Sequence, residues 1–136
     1  MLALLNAYRA ANGLTPVQFD ATLQAAANWK AADMAKTGNL EHDDTFRSEL
    51  QRFKDCGYPD SNVSVFENLA AGIQTAQQMF EQFKASAVHN AAMLNPTFTA
   101  IGIARAKSPN PGDPYGWTWV MDFGSVVSQP LSGSPG

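Results

Sequence analysis

An alanine-rich run, ATLQAAANWKAADMAKT over 21–37, constrains the fold more than any other feature of this sequence. It contains seven Ala residues, one Leu and neither Gly nor Pro, a composition that strongly favours a helix. Asp20 stands where an N-cap is expected, and Gly38 stands where a helix can end in the left-handed region. The run therefore predicts a long helix that buries one stripe, formed by Leu23, Ala27, Ala31 and Met34.

Helical and strand-like segments share the rest of the chain. Apolar spacing predicts further helices over 2–12, 46–55, 74–87 and 88–94. The helix over 46–55 is expected to bury one face, formed by Phe46, Leu50 and Phe53. Runs rich in β-branched and aromatic residues predict strands over 63–69, 98–106 and 117–126. This order favours an α/β (α+β) fold in which helices cover both faces of a sheet.

The length of 136 residues is typical of one domain. The last residues, 129–136, are rich in Ser, Pro and Gly, a composition typical of linkers. We therefore expect a single folded domain over 1–127 and a tail or linker stump over 128–136. The single cysteine, Cys56, rules out a disulfide within the chain.

Charge and hydropathy argue against two classes of partner. The nine Lys and Arg residues are scattered and the formal net charge is −3, so the electrostatic footprint of a nucleic-acid-binding protein is missing. The apolar start, 1–5, stops at Asn6, which is too short for a transmembrane segment or a signal peptide. If the protein is exported, as we expect below, its leader is absent from this sequence.

Chemistry based on imidazole can use only His42 and His89, because the sequence has two histidines. Both stand near predicted helix ends, and Glu67 stands between apolar neighbours, where a carboxylate needs water or a buried partner. Two imidazoles and one carboxylate are enough for a divalent metal site with an open position. Their separations match no compact metal motif, so spacing alone favours the interpretation that each histidine is a surface or capping residue.

Five blocks in order carry a resemblance to a known family. They read NAYRAANGLTPVQFD, WKAADMAKTGNLEHDD, FENLAAG, FKASAVHNAAMLNPTFTAIGIA and WVMDFG. Together they are similar to bacterial CAP domains, whose superfamily includes cysteine-rich secretory proteins, antigen 5 proteins and plant pathogenesis-related proteins (the SCP-like family). The resemblance covers about residues 5–124. It implies a three-layer α–β–α sandwich with a mostly antiparallel central sheet.

The resemblance also implies a shared cavity. The first family histidine falls on His42, the glutamate of the ENLA block on Glu67, and the second histidine on His89. Ser86 matches the serine that bacterial members carry before that histidine, whereas Ala87 and Val88 replace their usual Pro-Gly. A second glutamate found near this position in eukaryotic members is replaced here by Ser86. The expected cavity residues are therefore His42, Glu67, Ser86 and His89.

As a functional expectation, the resemblance implies a secreted or cell-envelope domain that binds without turnover. The expected ligand is a small apolar molecule of the lipid or sterol kind, an extracellular protein, or a divalent cation such as Zn²⁺ held by His42, Glu67 and His89. One alternative is a metal-assisted hydrolase that uses Glu67 as general base. Another is a structural or interaction module without an active site. No catalytic residue is assigned, and binding is expected in preference to catalysis.

Two apolar sets could serve a ligand, although each is more typical of a core. The first is the set Met79, Phe80, Phe83, Met93 and Leu94 on predicted helices. The second is the aromatic set Tyr115, Trp117 and Trp119, of which Trp119 matches a core aromatic of the family.

Overall fold

The alanine-rich segment is the longest helix of the protein. A computed structural model describes residues 1–72, 75–110, 112 and 116–128. Its helices are α1 (Leu2–Ala11), α2 (Ala21–Thr37), α3 (Glu49–Asp55), α4 (Ala76–Ala85) and α5 (Ala87–Met93). Its strands are β1 (Gln18–Phe19), β2 (Val65–Ala71), β3 (Ala100–Lys107) and β4 (Trp117–Gly124).

The predicted limits of α2 are confirmed. The Asp20 carboxylate accepts hydrogen bonds from the backbone N–H groups of Thr22 and Leu23, which would otherwise lack partners. At the other end, Gly38 takes a left-handed conformation with φ 75° and donates to the carbonyl of Met34. Asp20 also accepts from the backbone and the hydroxyl of Ser128, so the same carboxylate anchors the chain after the last strand.

The four strands form one sheet in the order β1-β3-β4-β2. The long pairings, β2 with β4 and β3 with β4, are antiparallel, and only the two-residue β1 runs parallel to β3. The mostly antiparallel sheet is therefore confirmed. The sequence did not predict β1, because two residues are too short to show the alternation that identifies a strand.

Helices cover both faces of this sheet, so the three-layer α–β–α arrangement is confirmed. On one face, α2 and α3 pack over the sheet through a buried group that includes Leu23, Ala27, Ala31, Phe53 and Val120. On the other face, α1, α4 and α5 pack through a larger apolar cluster that includes Leu5, Met79, Phe83, Met93, Met121 and Phe123. Successive strand residues point to opposite faces, which assigns Glu67 and Asp122 to the α2 face and Asn68 to the α5 face.

Two predictions about elements need correction. The third helix begins at Glu49, after the N-cap Ser48, and not at residue 46. Phe46 is 80% exposed and Leu50 is 50% exposed, so of the predicted apolar face only Phe53 is buried. Arg52 is buried beside Phe53 instead, because it pairs with a buried carboxylate that apolar spacing cannot reveal. The strand predicted over 63–69 lies two residues later, at Val65–Ala71.

Some predictions fall where the structure gives no description. The predicted tail, 128–136, lies outside the described residues except for Ser128, and Tyr115 also lies outside them. Within the described part of the chain, no helix has the length and apolar character needed to cross a membrane.

The close contact between α2 and the sheet depends on Gly102 in β3. A Cβ atom at this position would overlap the backbone of Leu23 and Gln24 in α2. The side-chain amide of Gln24 also bonds the backbone of Ile103, donating to its carbonyl at 2.6 Å and accepting from its N–H at 3.0 Å. These bonds hold the helix and the strand backbones together where no side chain fits between them.

We therefore expect Gly102→Ala to destabilise the protein by about 1–3 kcal/mol, because the added methyl group must push α2 away from the sheet. Gly112→Ala is the matched control, since a Cβ there meets no atom closer than 3.5 Å. Urea denaturation followed by circular dichroism measures both variants. Equal midpoints for Gly102→Ala and the parent protein would contradict this account of the packing.

Candidate functional site

Three side chains from different elements meet beside the edge strand β2, on the face of the sheet that α2 covers. Glu67 lies in the middle of β2, Glu49 is the first residue of α3, and His42 lies in the loop that joins α2 to α3. The Nδ1 atom of His42 lies 3.1 Å from Oε1 of Glu67 and 3.5 Å from Oε2 of Glu49. One ligand atom from each residue lies within 4.8 Å of the others. We call these three residues the His42 cluster.

On its buried side, Glu67 forms an ion pair with an arginine. The Nη2 atom of Arg52 donates to Oε2 of Glu67 at 2.6 Å, and both side chains are fully buried. Burial by itself would raise the pKa of Glu67, but hydrogen bonds from Asp122 and His42 and the charge of Arg52 together lower it below the usual value. Glu67 is therefore an ionised carboxylate inside the protein.

Asp122 is the second buried acid and stands directly opposite Glu67 in the β2–β4 pairing. Burial, followed by the nearby negative charge of Glu67, raises the pKa of Asp122 well above its usual value. Two ionised carboxylates cannot hydrogen-bond, and both Asp122 oxygens would then lie buried without a partner. With its proton, Asp122 can donate to Glu67, so the pair carries one negative charge.

A second buried cation fixes the loop that carries His42. Lys30 of α2 is 1% exposed, and its ammonium group donates to the backbone carbonyl of Asp43 at 2.8 Å. Burial, with the nearby charge of Arg52 as the next cause, lowers the pKa of Lys30. The residue after His42 is thus tied to the long helix, which limits how far the imidazole can move from Glu67.

His89 approaches from the opposite side of β2. It belongs to α5, its ring packs edge-on against Phe83 with centroids 5.0 Å apart, and its backbone carbonyl accepts from the Asn68 amide. With Ser86 and Gln82 it lines a hollow of about 360 Å³ whose other walls are apolar, formed by Leu40, Leu69, Ala70, Ala71, Met79 and Phe83. In the described part of the chain, the one group of three possible metal ligands contains His42 and Glu67 but not His89.

The two histidines have different electrostatic surroundings. The hydrogen bond to Glu67 is the largest influence on His42, and it raises the pKa of that imidazole above 6.5. Burial, and then the positive charge of His42, lowers the pKa of His89. The charge of His42 therefore reaches His89, although β2 separates the immediate contacts of the two rings.

The structure adds three residues that sequence reasoning did not select: Glu49, Arg52 and Asp122. Glu49 and Arg52 stand three residues apart on a predicted helix, a spacing that places both on one helix face. Asp122 is the only charged residue in the strand WTWVMDFG, which was a visible signal of a buried polar group. Glu67, which pairs with Arg52 and stands opposite Asp122, lies on another element and could not be assigned to them from spacing.

The apolar sets considered as ligand surfaces belong mainly to the core. Met79, Phe80, Phe83 and Met93 are all buried in the cluster between the sheet and α1, α4 and α5. Trp119 is buried in the same cluster, while Trp117 is half-buried with the Arg105 guanidinium 4.2 Å from its ring centre. Phe83 and Met79 also reach the hollow beside His89, so the floor of that hollow is part of the core.

Comparison with known proteins identifies relatives over nearly the whole domain. The sequence profile of the CAP family, described as the cysteine-rich secretory protein family, matches residues 2–123. An uncharacterized protein of Bacillus subtilis, YkwD, is 32% identical over 124 residues, which are 90% of this chain and 45% of that protein. The chain therefore spans less than half the length of this relative.

Two solved structures share the fold at low sequence identity. An outer surface protein from Borrelia burgdorferi has a TM-score of 0.77 and 23% identity over 90% of this chain and 87% of its own. An extracellular protein containing a SCP domain from Bacillus anthracis has a TM-score of 0.77 and 20% identity, over 90% of this chain and 38% of its own.

We expect the two histidines to titrate on opposite sides of the ordinary histidine pKa when their ring resonances are followed by NMR in metal-free protein. His42 should titrate above 6.5 and His89 below it. Since the folded state raises the pKa of His42, this group stabilises the fold below pH 6.5, and its contribution is lost as the pH rises through the raised value. Glu67→Gln should bring the His42 value down, whereas Glu81→Gln, a change at an exposed site, should not. A His42 value below that of His89 would contradict the described geometry.

Proposed function

We propose that this chain, which belongs to the CAP family of cysteine-rich secretory proteins, is an extracytoplasmic domain that binds a divalent transition metal without turnover. His42, Glu49 and Glu67 would hold the ion. The observation that carries the proposal is the convergence of one imidazole nitrogen and two carboxylate oxygens within 4.8 Å. The extracytoplasmic location is supported by relatives described as an outer surface protein and an extracellular protein.

The donor atoms fit a zinc-type ion. Zn²⁺ is bound by nitrogen and oxygen ligands at about 2.0–2.2 Å in a tetrahedron, which requires neighbouring ligand atoms to be about 3.3–3.6 Å apart. The two separations that involve the His42 nitrogen, 3.1 Å to the Glu67 oxygen and 3.5 Å to the Glu49 oxygen, are close to that requirement, and all three donor atoms lie within 4.8 Å of one another. The Oε2 atom of Glu49 is buried and accepts no hydrogen bond. When bound, the ion would supply a Lewis-acid centre with a fourth position open to a ligand or water.

The surroundings of Glu67 favour binding over hydrolysis. A general base must have an oxygen available to take a proton from water. In this protein one oxygen of Glu67 accepts from Arg52, the other contacts His42, and Asp122 competes for the same carboxylate. These contacts also lower the pKa of Glu67, which weakens it as a base. Glu67 is therefore better suited to bind a cation than to accept a proton from water as a general base.

We expect metal-free protein to bind one Zn²⁺ per chain in isothermal titration calorimetry. Glu49→Gln should weaken the affinity at least about tenfold, because an amide oxygen carries no negative charge to offer the ion. Glu41→Gln is the matched control, since Glu41 lies in the same loop and is exposed. His42→Ala should abolish binding, whereas His89→Ala should preserve it, because His89 lies on the other side of β2.

Two results would count against this proposal. The absence of saturable binding by the parent protein would reject the metal function altogether. A loss of binding in His89→Ala, with Glu49→Gln unaffected, would instead assign the ion to His42, Glu67 and His89, the set that the family resemblance implies.

The hollow beside His89 supports a second candidate function, the binding of a small apolar ligand. Its walls are apolar except for Ser86, Gln82 and the His89 imidazole, which lie where the polar end of an amphiphile would need a hydrogen bond. The lowered pKa of His89 leaves the ring neutral at neutral pH, so it can both donate and accept.

If this hollow takes a lipid, the protein should bind a fluorescent long-chain fatty acid saturably in the absence of metal. Ser86→Leu should weaken that binding about tenfold or more, because the larger side chain fills the hollow. Ser86 makes no side-chain capping bond, so the change should leave the helix intact. Ala85→Leu, at the exposed neighbouring position, is the control. Equal binding by both variants would exclude this hollow as the ligand site.

A further inference from the structure

Helix α3 presents two opposite charges to the same carboxylate. Glu49 and Arg52 lie three residues apart on this helix, so they share one face. Glu49 reaches the open side of the His42 cluster, where its side chain is 34% exposed. Arg52 reaches the buried side of Glu67, where neither partner is exposed. The helix therefore contributes Glu49 to the solvent-exposed side of the cluster and Arg52 to its buried side.

The Arg52 contact uses one nitrogen and one oxygen. Its Nη2 atom donates to Oε2 of Glu67, while Nε and Nη1 lie buried without a hydrogen-bond partner. A guanidinium in the common two-bond geometry would engage both carboxylate oxygens. Here Oε1 is left for His42, at 3.1 Å. Arg52 thus takes one oxygen of Glu67 out of the site and leaves the other facing it.

We propose that Arg52 is a positioning residue that sets the metal preference of the site by restricting Glu67 to one ligand oxygen. This inference rests on the proposed metal-binding function. Zn²⁺ is satisfied by four ligands, each of which can be a single oxygen or nitrogen. Ca²⁺ needs six to eight oxygen ligands at about 2.3–2.6 Å and often takes both oxygens of a carboxylate. A glutamate with one oxygen reserved for arginine serves the first ion better than the second.

The positive charge of Arg52 also affects metal binding, but its effect can be distinguished from the effect of the Arg52 hydrogen bond to Glu67. Arg52 and Lys30 are both buried close to Glu67, and they offset the negative charge of Glu67 and Glu49. Loss of one positive charge would strengthen the binding of every divalent cation. Release of Oε2 would strengthen Ca²⁺ binding more than Zn²⁺ binding. The ratio of the two affinities therefore reports the positioning role and is insensitive to charge alone.

The test compares Zn²⁺ and Ca²⁺ affinities, measured by calorimetry, in the parent protein and three variants. We expect the parent to prefer Zn²⁺ over Ca²⁺ by about 100-fold or more. Arg52→Gln should lower that ratio about tenfold or more, because Oε2 becomes available to the ion. Arg52→Lys keeps a positive charge near Oε2 and should restore most of the ratio. Lys54→Gln, which removes an exposed cation from the same helix, is the control.

The outcomes separate this inference from the function on which it rests. If the parent protein binds neither ion, the proposed function fails. If the parent binds Zn²⁺ but the ratio in Arg52→Gln equals that of the parent, metal binding stands and the positioning role of Arg52 is overturned. A lowered ratio in Arg52→Gln together with its recovery in Arg52→Lys supports the role.

A spectrum of the parent protein tests the same point should Arg52→Gln fail to fold. Co²⁺ in a four-coordinate site absorbs strongly in the visible region, whereas six-coordinate Co²⁺ absorbs weakly. With Oε2 reserved by Arg52, we expect the strong four-coordinate spectrum. A weak six-coordinate spectrum would show that the site does not favour a four-coordinate ion, and it would overturn the inference.

Discussion

The buried charge of Glu67 is the interaction on which the arrangement of this site depends. A carboxylate inside a protein is costly unless it is paired and hydrogen-bonded, and removal of one partner from a buried ion pair typically costs about 3–5 kcal/mol. Glu67 meets this requirement with Arg52 from α3, Asp122 from β4 and His42 from the preceding loop. The positions of a helix, a strand and a loop are therefore coupled to one side chain.

The sheet and α2 give this charge network a rigid support. Gly102 allows the helix backbone to lie directly against β3, and the Gln24 amide bonds the strand backbone beside it. Tyr58 approaches Gly124 in the same close manner and exchanges hydrogen bonds with the backbone of Val126. These contacts hold the backbones of α2, β3 and the end of β4 closely together, and Gly102 stands opposite Asp122 in the β3–β4 pairing.

Burial changes sharply from Arg52 and Glu67 to the exposed side of the His42 cluster. The buried groups fix the orientation of Glu67, and the exposed groups are the ones that an ion can reach. Glu67 and Arg52 are fully buried, Glu49 is 34% exposed and His42 is 55% exposed. The buried groups are held by hydrogen bonds and determine which lone pair faces outward. The exposed groups are reached by solvent and can exchange a proton or a water molecule for an ion. His89 and its hollow lie across β2, so an apolar ligand and a metal ion would occupy neighbouring but different places.

The sequence by itself determined the elements and the overall architecture. Composition and capping located α2 between Asp20 and Gly38, because helix propensity and backbone capping act between residues that are close in the chain. The ordered motifs identified the family and selected both His42 and Glu67.

Only the tertiary structure decided which charges meet: it added Glu49, Arg52 and Asp122, and it placed His89 on the opposite side of β2. Apolar periodicity also assigned Phe46 and Leu50 to the core, where the structure instead buries Arg52. The physical reason is that periodicity reports how a segment divides its surface between core and solvent, whereas a buried charge is stabilised by partners from distant segments.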